Sequence, residues 1–384
     1  MRPKSRVRRQ ALLGLAAWAA GSQAAPAEVL RVGPGRALRR IADAARVAPD
    51  GAVVEVDAGD YVADVAVWQQ ARLTVRSVGG PVRLVAAGHH AEGKALWVVR
   101  RGHVTVEGIE FTGVAVPDRN GAGIRLESGH LTVRRCRFLD SETGILTSND
   151  ARSWLEVEAS EFGRLGAGDG LSHGLYVGAI AGFRLTACHV HRANLGHLVK
   201  SRARWNRIEC NRLTDEPGGR ASYELEFPNG GVAEVLGNVV EQGSDTRNAA
   251  LVSYGAEGLR WADNRLAMAH NTLVNRRLFG GTFVRVVPAG VPVQLRNNLL
   301  VGPGRAYVGS AADSADSAGD WRLPLQALQQ PDAGDWRPRE QPAGYRAAEV
   351  TPALAPGHEY RHPRTLEPRP APWAWPGALA PVQR

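Results

Sequence analysis

Short alternating runs of apolar and polar residues recur along the middle of the chain, and each run leads into a three-residue mark. In most copies the mark is a small or amide residue, any residue and an apolar residue. Its first positions are Ile109, Cys136, Ser160, Cys188, Asn211, Asn238, Asn264 and Asn298, and a near copy begins at Asn271. Successive first positions are 27, 24, 28, 23, 27, 26 and 34 residues apart. A period of this length is typical of a solenoid, in which one coil stacks on the next.

The alternation within each repeat predicts short strands with one buried side. Segments 131–133, 155–157 and 183–185 each place apolar residues two positions apart, which is the spacing of such a strand. The pattern predicts no long amphipathic helix between the repeats. We therefore predict an all-β fold, a single-stranded right-handed parallel β-helix over residues 28–309. In this fold each coil covers the apolar side of its neighbour.

The first positions of the marks predict a ladder of side chains inside the solenoid. The predicted ladder comprises Cys136, Ser160, Cys188, Asn211, Asn238, Asn264 and Asn298. Side chains stacked about 4.8 Å apart can hydrogen-bond along the axis and so satisfy buried amides. Cys136 and Cys188 lie two coils apart, beyond bridging reach, and Cys210 is out of register with Cys188. We expect all three cysteines to be buried and unpaired.

The two ends of the repeat region depart from the periodic pattern. Residues 37–47 have helical spacing and are followed by a strand-like run to Tyr61. This order resembles the opening of the pectate-lyase-like β-helix family, which implies a short helix that caps the first coil. From residue 310 the period stops, and residues 310–384 are rich in proline and tryptophan. We expect this C-terminal segment to be an extended strap that packs along the solenoid.

Residues 1–27 read as an export signal. Five basic residues precede an apolar stretch from Ala11 to Ala20 and small-residue cleavage positions. The Arg8-Arg9 pair resembles a twin-arginine signal, and an ordinary secretory signal fits equally. The apolar stretch is too short to cross a bilayer, so we expect no membrane span. We expect an exported protein, periplasmic or secreted.

Removal of residues 1–27 leaves 42 basic against 38 acidic residues, a net charge of +4 instead of +9. The remaining chain has no basic run interleaved with aromatic residues, which argues against a nucleic-acid partner. A mildly basic groove suits an acidic polysaccharide. We expect a monomer.

Polar residues concentrate on the strands that follow the marks in the later repeats. They are His173, Tyr176, His197, Lys200, Glu224, Glu226 and Tyr254. Because neighbouring coils stack about 5 Å apart, equivalent outward residues of three or four coils can line one groove. We predict a sugar-binding groove over residues 142–285, centred on Lys200.

The stretch from Gly196 to Asn238, with its Lys200-Ser201 pair, Asn211 and Gly237-Asn238, resembles the chondroitinase B and alginate lyase family of polysaccharide lyases. The resemblance implies that Lys200 is the catalytic base. The family's catalytic arginine is missing, because the corresponding strand carries Glu224 and Glu226. The acidic calcium ligands before the lysine are also missing, since Ala193 and Leu195 stand there. The sequence shows no zinc-ligand spacing and indicates no definite cofactor, and the resemblance leaves a Ca²⁺ requirement open.

A uronic acid lyase needs a base, a cation that neutralises the substrate carboxylate and a donor for the leaving oxygen. Lys200 is the expected base. The expected neutralisers are Arg202, Arg204 and Arg220, the expected donors are Tyr176, His173 and His197, and Tyr254 and Asn229 are further substrate-binding candidates.

Two other functions remain open from the sequence. A glycoside hydrolase would use Glu224 and Glu226, both of which alternation predicts to face solvent, and their spacing suits a carboxylate pair. A non-catalytic glycan-binding envelope protein would use the same groove without chemistry. Each polar residue also has a structural explanation, such as a solvated lysine or a histidine that satisfies a turn.

Overall fold

The strands of the solenoid form three faces around one core. Along each strand, apolar side chains that point into the core alternate with side chains that point outward. In the strand His130–Arg134, for example, Leu131 and Val133 are buried while their neighbours are partly exposed. The computed structural model describes residues 27–309, 315–369 and 374–382. The predicted export signal lies outside these residues up to position 26. The described residues form a parallel β-solenoid of about ten turns with one short α-helix, which confirms the predicted all-β parallel β-helix.

Each regular coil contributes one strand to each face. The first face consists of β1 (Val29–Val32), β2 (Ala52–Val62), β4 (Arg72–Val85), β6 (His103–Glu107), β9 (His130–Arg134), β12 (Trp154–Glu158), β15 (Gly182–Thr186), β18 (Trp205–Glu209), β21 (Val232–Leu236), β24 (Arg265–Ala269), β27 (Val293–Arg296) and β30 (Asp316–Ala318). The second face continues from the ends of β2 and β4 with β7 (Ile109–Thr112), β10 (Arg137–Leu139), β13 (Glu161–Gly163), β16 (His189–His191), β19 (Arg212–Thr214), β22 (Val239–Gln242), β25 (Thr272–Asn275), β28 (Leu299–Val301) and β31 (Trp321–Leu323). The third face consists of β3 (Ala66–Trp68), β5 (Ala95–Val99), β8 (Ala122–Leu126), β11 (Thr143–Thr147), β14 (Leu175–Val177), β17 (Val199–Ser201), β20 (Leu225–Phe227), β23 (Ala250–Tyr254), β26 (Thr282–Val286) and β29 (Arg305–Gly309). Strands within each face pair in parallel with the coils above and below.

The core is a column of stacked apolar side chains between the faces. Phe111, Phe138 and Phe162 lie in register on β7, β10 and β13. Their rings stack with centroids 4.9 and 4.8 Å apart. That separation follows the spacing of paired strands, so the same residue type on successive coils stacks in contact along the core.

The ladder runs along the turn between the first and second faces. In the structure it comprises Cys136, Ser160, Cys188, Asn211, Asn238, Asn271, Asn298 and Asp320. Asn238 Oδ1 accepts hydrogen bonds from the backbone and side-chain nitrogens of Asn211, each at 2.9 Å. The side-chain oxygen of each asparagine therefore accepts the hydrogen bonds of the ladder residue on the preceding coil.

The assignment of Asn264 to the ladder was wrong, and Asn271 takes its place. Asn264 Oδ1 instead accepts from Gly231 N at 2.8 Å, and its side-chain nitrogen donates to Trp261 O at 2.6 Å. The coil after Asn238 contains an insertion at residues 255–264, hereafter the insertion loop. The insertion moves the ladder position seven residues further along the chain. Counting a fixed period from Asn238 therefore selects Asn264 instead of Asn271.

The cysteines are buried and unpaired, as predicted. Cys136 and Cys188 lie in the core, whereas the Cys210 sulfur contacts His358 O of the C-terminal segment at 3.1 Å. Burial raises the pKa of each thiol to about 12. The thiols therefore act as small packing residues.

The helix α1 (Ile41–Val47) packs against the first coil. The Asp64 carboxylate accepts hydrogen bonds from the backbone nitrogens of Ile41 and Ala42 at 2.7 and 2.9 Å. Ile41 and Ala44 are fully buried in the core. The hydrogen bonds from Asp64 and the burial of Ile41 and Ala44 together hold α1 against the first coil of the solenoid.

The C-terminal segment begins with a further coil and then turns back over the second face. The parallel strands continue through β30 and β31 to Leu323, beyond the predicted boundary at 309. There follow 3₁₀ turns at Leu325–Ala327, Pro331–Ala333 and Pro352–Leu354 and the strands β32 (Leu328–Gln330), β33 (Asp335–Pro338), β34 (His358–Arg361) and β35 (Thr365–Pro368).

Contacts of this segment advance from the last coils to the middle of the solenoid. Tyr345 OH donates to Asn297 Oδ1, and Arg364 Nη1 donates to Cys136 O. Leu328 and Trp336 pack against second-face residues such as Val274. The segment therefore covers the second face. None of these contacts involves the third face. Among residues 27–309, 315–369 and 374–382, no helix has the length and apolar character that a bilayer crossing requires.

Candidate functional site

Three of the predicted site residues form one row across the third face. Tyr176 pairs in register with Lys200, and Lys200 pairs with Glu226. Their neighbours Leu175 and Val199 are fully buried in the core, so alternation turns the row outward. Neighbouring coils thus bring side chains 24 and 26 residues apart into contact.

A histidine pair adjoins this row just before the strands begin. The rings of His173 and His197 stack with centroids 4.4 Å apart, and His173 Nδ1 accepts from His197 N at 3.0 Å. His197 Nε2 lies 2.9 Å from Glu226 Oε2, and Lys200 Nζ lies 3.4 Å from the same oxygen. One carboxylate oxygen therefore connects His197 to Lys200.

The surroundings keep both imidazoles neutral and Glu226 ionised. Burial lowers the pKa of His173 well below its ordinary value, and His197 and Lys200 add to that effect. Burial also lowers the pKa of His197, although its hydrogen bond to Glu226 opposes the change. Burial alone would raise the pKa of Glu226, but the hydrogen bond to His197 and the charge of Lys200 hold it below its ordinary value.

The insertion loop supplies a second carboxylate to the row. Glu257 contacts Lys200 Nζ at 3.1 Å and accepts from Arg202 Nη2 at 2.7 and 2.9 Å. The Arg202 guanidinium lies 5.2 Å from the centre of the Tyr176 ring. The side chain of Glu257 is 44% exposed, against 13% for Lys200 and 17% for Arg202. Two cations beside an aromatic ring thus hold a carboxylate that itself faces solvent.

The expectation that Glu224 and Glu226 both face solvent was wrong. Glu226 lies in the outward row but is only 4% exposed. Glu224 is fully buried, and its Oε2 accepts from Gln242 Nε2 at 3.4 Å. It stands one residue before β20, at the corner between two faces, where the alternation of the strand does not yet apply. Burial and the nearby Asp215 raise its pKa well above the ordinary value. Glu224 and Glu226 therefore do not form one solvent-facing pair.

Several proposed substrate-binding residues lie apart from the row. Arg204 pairs with Asp263 at 3.0 Å, and Arg220 donates to Asn194 Oδ1 at 2.6 Å. Tyr254 is buried in the core, where its hydroxyl donates to Gly231 O. The remaining candidate, Asn229, is half-buried and reaches the insertion loop, with Nδ2 3.5 Å from Glu257 O.

Sequence reasoning missed Glu257, Tyr223 and Arg285. The Tyr223 ring packs edge-on against His197 at 5.1 Å, and Arg285 Nη1 lies 3.5 Å from its hydroxyl. Arg285 stands two coils beyond Glu226 in the same outward row. Extending the row of equivalent positions by two coils would therefore have predicted Arg285 as a site residue. The sequence offers no comparable signal for Glu257, because the insertion loop has no repeat register.

A second polar cluster lies on the second face, beneath the C-terminal segment. It contains Glu161, His189, His191 and Glu216, and the two imidazole rings stack with centroids 4.1 Å apart. A cavity of about 710 Å³ adjoins it, with His189, Glu216, Trp336 and His362 among its lining residues. Among the described residues, Glu161, His189 and His191 are the group whose ligand atoms are close enough to hold a metal ion.

Comparisons with protein-family models, with curated proteins and with solved structures found no match.

Proposed function

We propose that the protein is an exported, pectate-lyase-like enzyme that binds a uronic-acid-containing polysaccharide on its third face and cleaves it by β-elimination. The observation that supports this proposal is the Glu257 carboxylate held between Lys200 and Arg202. A uronate of the substrate has the same charge and geometry as this side chain. The substrate would displace the exposed Glu257 and take over its two cationic partners.

The row supplies each group that β-elimination requires. Arg202 neutralises the substrate carboxylate and so acidifies the neighbouring C–H bond. Lys200 is the proposed base, in line with the family resemblance. Tyr176 is half-exposed beside both cations, which suits donation of a proton to the leaving oxygen.

Glu226 and His197 act on Lys200 as positioning residues. Glu226 contacts Lys200 Nζ at 3.4 Å, and this contact fixes the position of Nζ on the third face when the substrate displaces Glu257. His197, held neutral by burial, shares the Glu226 oxygen with Lys200 and so helps to hold that carboxylate in place.

Hydrolysis is the second candidate, favoured by one observation. Glu226 and Glu257 approach Lys200 Nζ at 3.4 and 3.1 Å, so two carboxylates flank one point of the groove. A glycoside hydrolase uses two such carboxyl groups on either side of the scissile bond. In this alternative Glu257 replaces Glu224 as the partner of Glu226.

The deciding experiment incubates the protein without residues 1–27 with uronic-acid and neutral polysaccharides. Elimination yields a product that absorbs ultraviolet light through its new double bond. Hydrolysis yields new reducing ends without that absorbance, and a binding protein yields neither. Lys200→Ala should abolish the absorbance, whereas His130→Gln on the first face should retain it. A product without ultraviolet absorbance from every acidic glycan would reject the lyase proposal.

A further inference from the structure

The cluster on the second face is assembled from three successive coils. His189 and His191 are the first and last residues of β16, so both point outward from the same strand. Glu161 pairs in register with His189 on the coil below. Glu216 follows β19 on the coil above and completes the group from the turn.

Ligand atoms of this cluster lie close together, in two contacting pairs. His191 Nε2 lies 3.3 Å from Glu161 Oε1, and His189 Nε2 lies 3.0 Å from Glu216 Oε1. One ligand atom from each of Glu161, His189 and His191 lies within 4.8 Å of the other two. Ligand atoms around tetrahedral zinc are about 3.3–3.5 Å apart, because each lies about 2.0–2.2 Å from the ion. Small side-chain rotations therefore suffice to close the site.

A buried imidazole nitrogen in the cluster lacks a hydrogen bond. His191 is 6% exposed, and its Nδ1 makes no hydrogen bond, although Glu216 Oε2 lies 3.5 Å away. Buried polar nitrogens are nearly always satisfied. Nε2 of the same ring faces Glu161, so with Nε2 bound to a metal ion the Nδ1–H would be directed at Glu216, the kind of carboxylate partner that metal-bound histidines have.

Arginines orient the two carboxylates. Arg137 Nε contacts Glu161 Oε2 at 2.9 Å, which leaves Oε1 directed at His191. Arg212 Nη2 contacts Glu216 Oε1 at 3.1 Å. Arg192 and Arg364 also face the cluster, at 3.5 Å from Glu216 and 3.9 Å from Glu161. The positive charge of these arginines repels a metal cation. The site therefore suits a metal that bonds strongly to imidazole rather than one held mainly by charge, such as Ca²⁺ or Mg²⁺.

The adjoining cavity provides space for a further ligand. His189 and Glu216 form part of one wall, and Trp336 and His362 of the C-terminal segment form part of another. The His362 ring lies 5.1 Å from the His189 ring. Of the three proposed ligands, His189 therefore borders an open space, as in metal sites that keep one position for water or substrate.

We propose that Glu161, His189 and His191 bind a divalent transition-metal ion of the zinc class, with Glu216 beside the open coordination position. Two imidazoles and a carboxylate form a ligand set that zinc takes and that calcium and magnesium do not prefer. The site lies on a different face from the row around Lys200 and does not depend on the proposed glycan chemistry.

The test uses untagged protein without residues 1–27, stripped with EDTA and titrated with Zn²⁺ by calorimetry. We expect one ion per chain with a dissociation constant in the micromolar range or below. The double variant His189→Gln/His191→Gln should weaken binding at least 100-fold. The matched control is His103→Gln/His130→Gln, which alters another pair of adjacent histidines, on the first face, and it should bind as the parent does.

A second readout identifies the ligands if the double variant folds poorly. Co²⁺ bound by this set should give visible absorption bands that Glu161→Gln weakens while the circular dichroism spectrum stays unchanged. Absence of Zn²⁺ binding to the parent would overturn the proposal. Equal binding by the parent and a folded double variant would overturn it as well, because the ion would then lie elsewhere.

Discussion

The third-face row and the second-face cluster use the same strand geometry but present opposite ligand preferences. On the third face, Lys200 and Arg202 surround a carboxylate with positive charge. On the second face, His189 and His191 meet carboxylates and leave an imidazole nitrogen unsatisfied. The first arrangement suits an anion, and the second offers imidazole and carboxylate ligands to a metal ion in spite of the arginines around it. One solenoid can therefore carry two unrelated sites, because each face is an independent surface on a shared core.

The two sites also differ in what covers them. The row lies beneath the insertion loop, whose Glu257 is half exposed, whereas the cluster lies beneath the C-terminal segment with Trp336 and His362. A short loop can be displaced by a competing ligand more easily than a long packed segment. We therefore expect the row to accept a polymer and the cluster to accept a small ion.

The largest predicted effect tests whether Lys200 acts as a base or only as a positive charge. Arginine keeps the positive charge of lysine but cannot be deprotonated. Lys200→Arg should lower kcat about 1000-fold, within the range for loss of general base catalysis, and leave KM within a few-fold. Steady-state kinetics on an acidic polysaccharide checks this. Wild-type kcat in Lys200→Arg would show that Lys200 serves only as a cation.

The next prediction concerns the ladder on which both faces depend. Asn238→Ala should lower the free energy of unfolding by about 3 kcal/mol, because it leaves buried groups of Asn211 and of two carbonyls unpaired. Asn264→Ala, in the insertion loop, should cost about 1 kcal/mol. Urea denaturation measures both. Equal losses would contradict the assignment of the ladder to Asn271 rather than Asn264.

A third prediction concerns the corner between the two faces, where Asp215 is fully buried. Burial raises its pKa to about 7. The unfolded chain has the ordinary lower pKa, so this group stabilises the fold at low pH and that contribution is lost as pH rises towards 7. Asp215→Asn should therefore stabilise the protein by about 1–2 kcal/mol at pH 8 and by almost nothing at pH 4. A gain in stability that does not vary with pH would contradict this account.

The smallest predicted effect tests whether Glu257 competes with substrate. Glu257→Gln removes the internal carboxylate and should lower KM for an acidic oligosaccharide about 3-fold to 10-fold. The control is Asp263→Asn, also in the insertion loop, which pairs with Arg204 instead. An unchanged KM in Glu257→Gln would show that Glu257 does not occupy the substrate position.

The sequence predicted what depends on a regular period. The coils, the buried thiols and the proximity of Tyr176, Lys200 and Glu226 all follow from stacking at equivalent positions. Asn264 and Glu224 were misplaced where the period breaks, at an insertion and at a corner. Asn264 was misplaced because an insertion shifts the repeat period, and Glu224 because strand alternation does not extend to the corner before β20.

The second-face cluster was missed for a different reason. His189 and His191 are two apart in a strand-like segment, which is a signal for a shared face. Their partners Glu161 and Glu216 become neighbours only through the exact coil lengths, and the covering residues come from a segment without repeats. A search for histidines two apart within predicted strands would have found half of the cluster.

Binding of an acidic oligosaccharide to the Lys200→Arg variant tests the central claim most directly, since this variant retains the charges but should not cleave. Calorimetry should show binding of a uronic-acid tetrasaccharide, no binding of a neutral tetrasaccharide, and at least a 10-fold weaker affinity once Arg202→Ala is added. Equal affinity with and without Arg202→Ala, or equal affinity for the neutral sugar, would contradict the claim that the third face recognises a uronate.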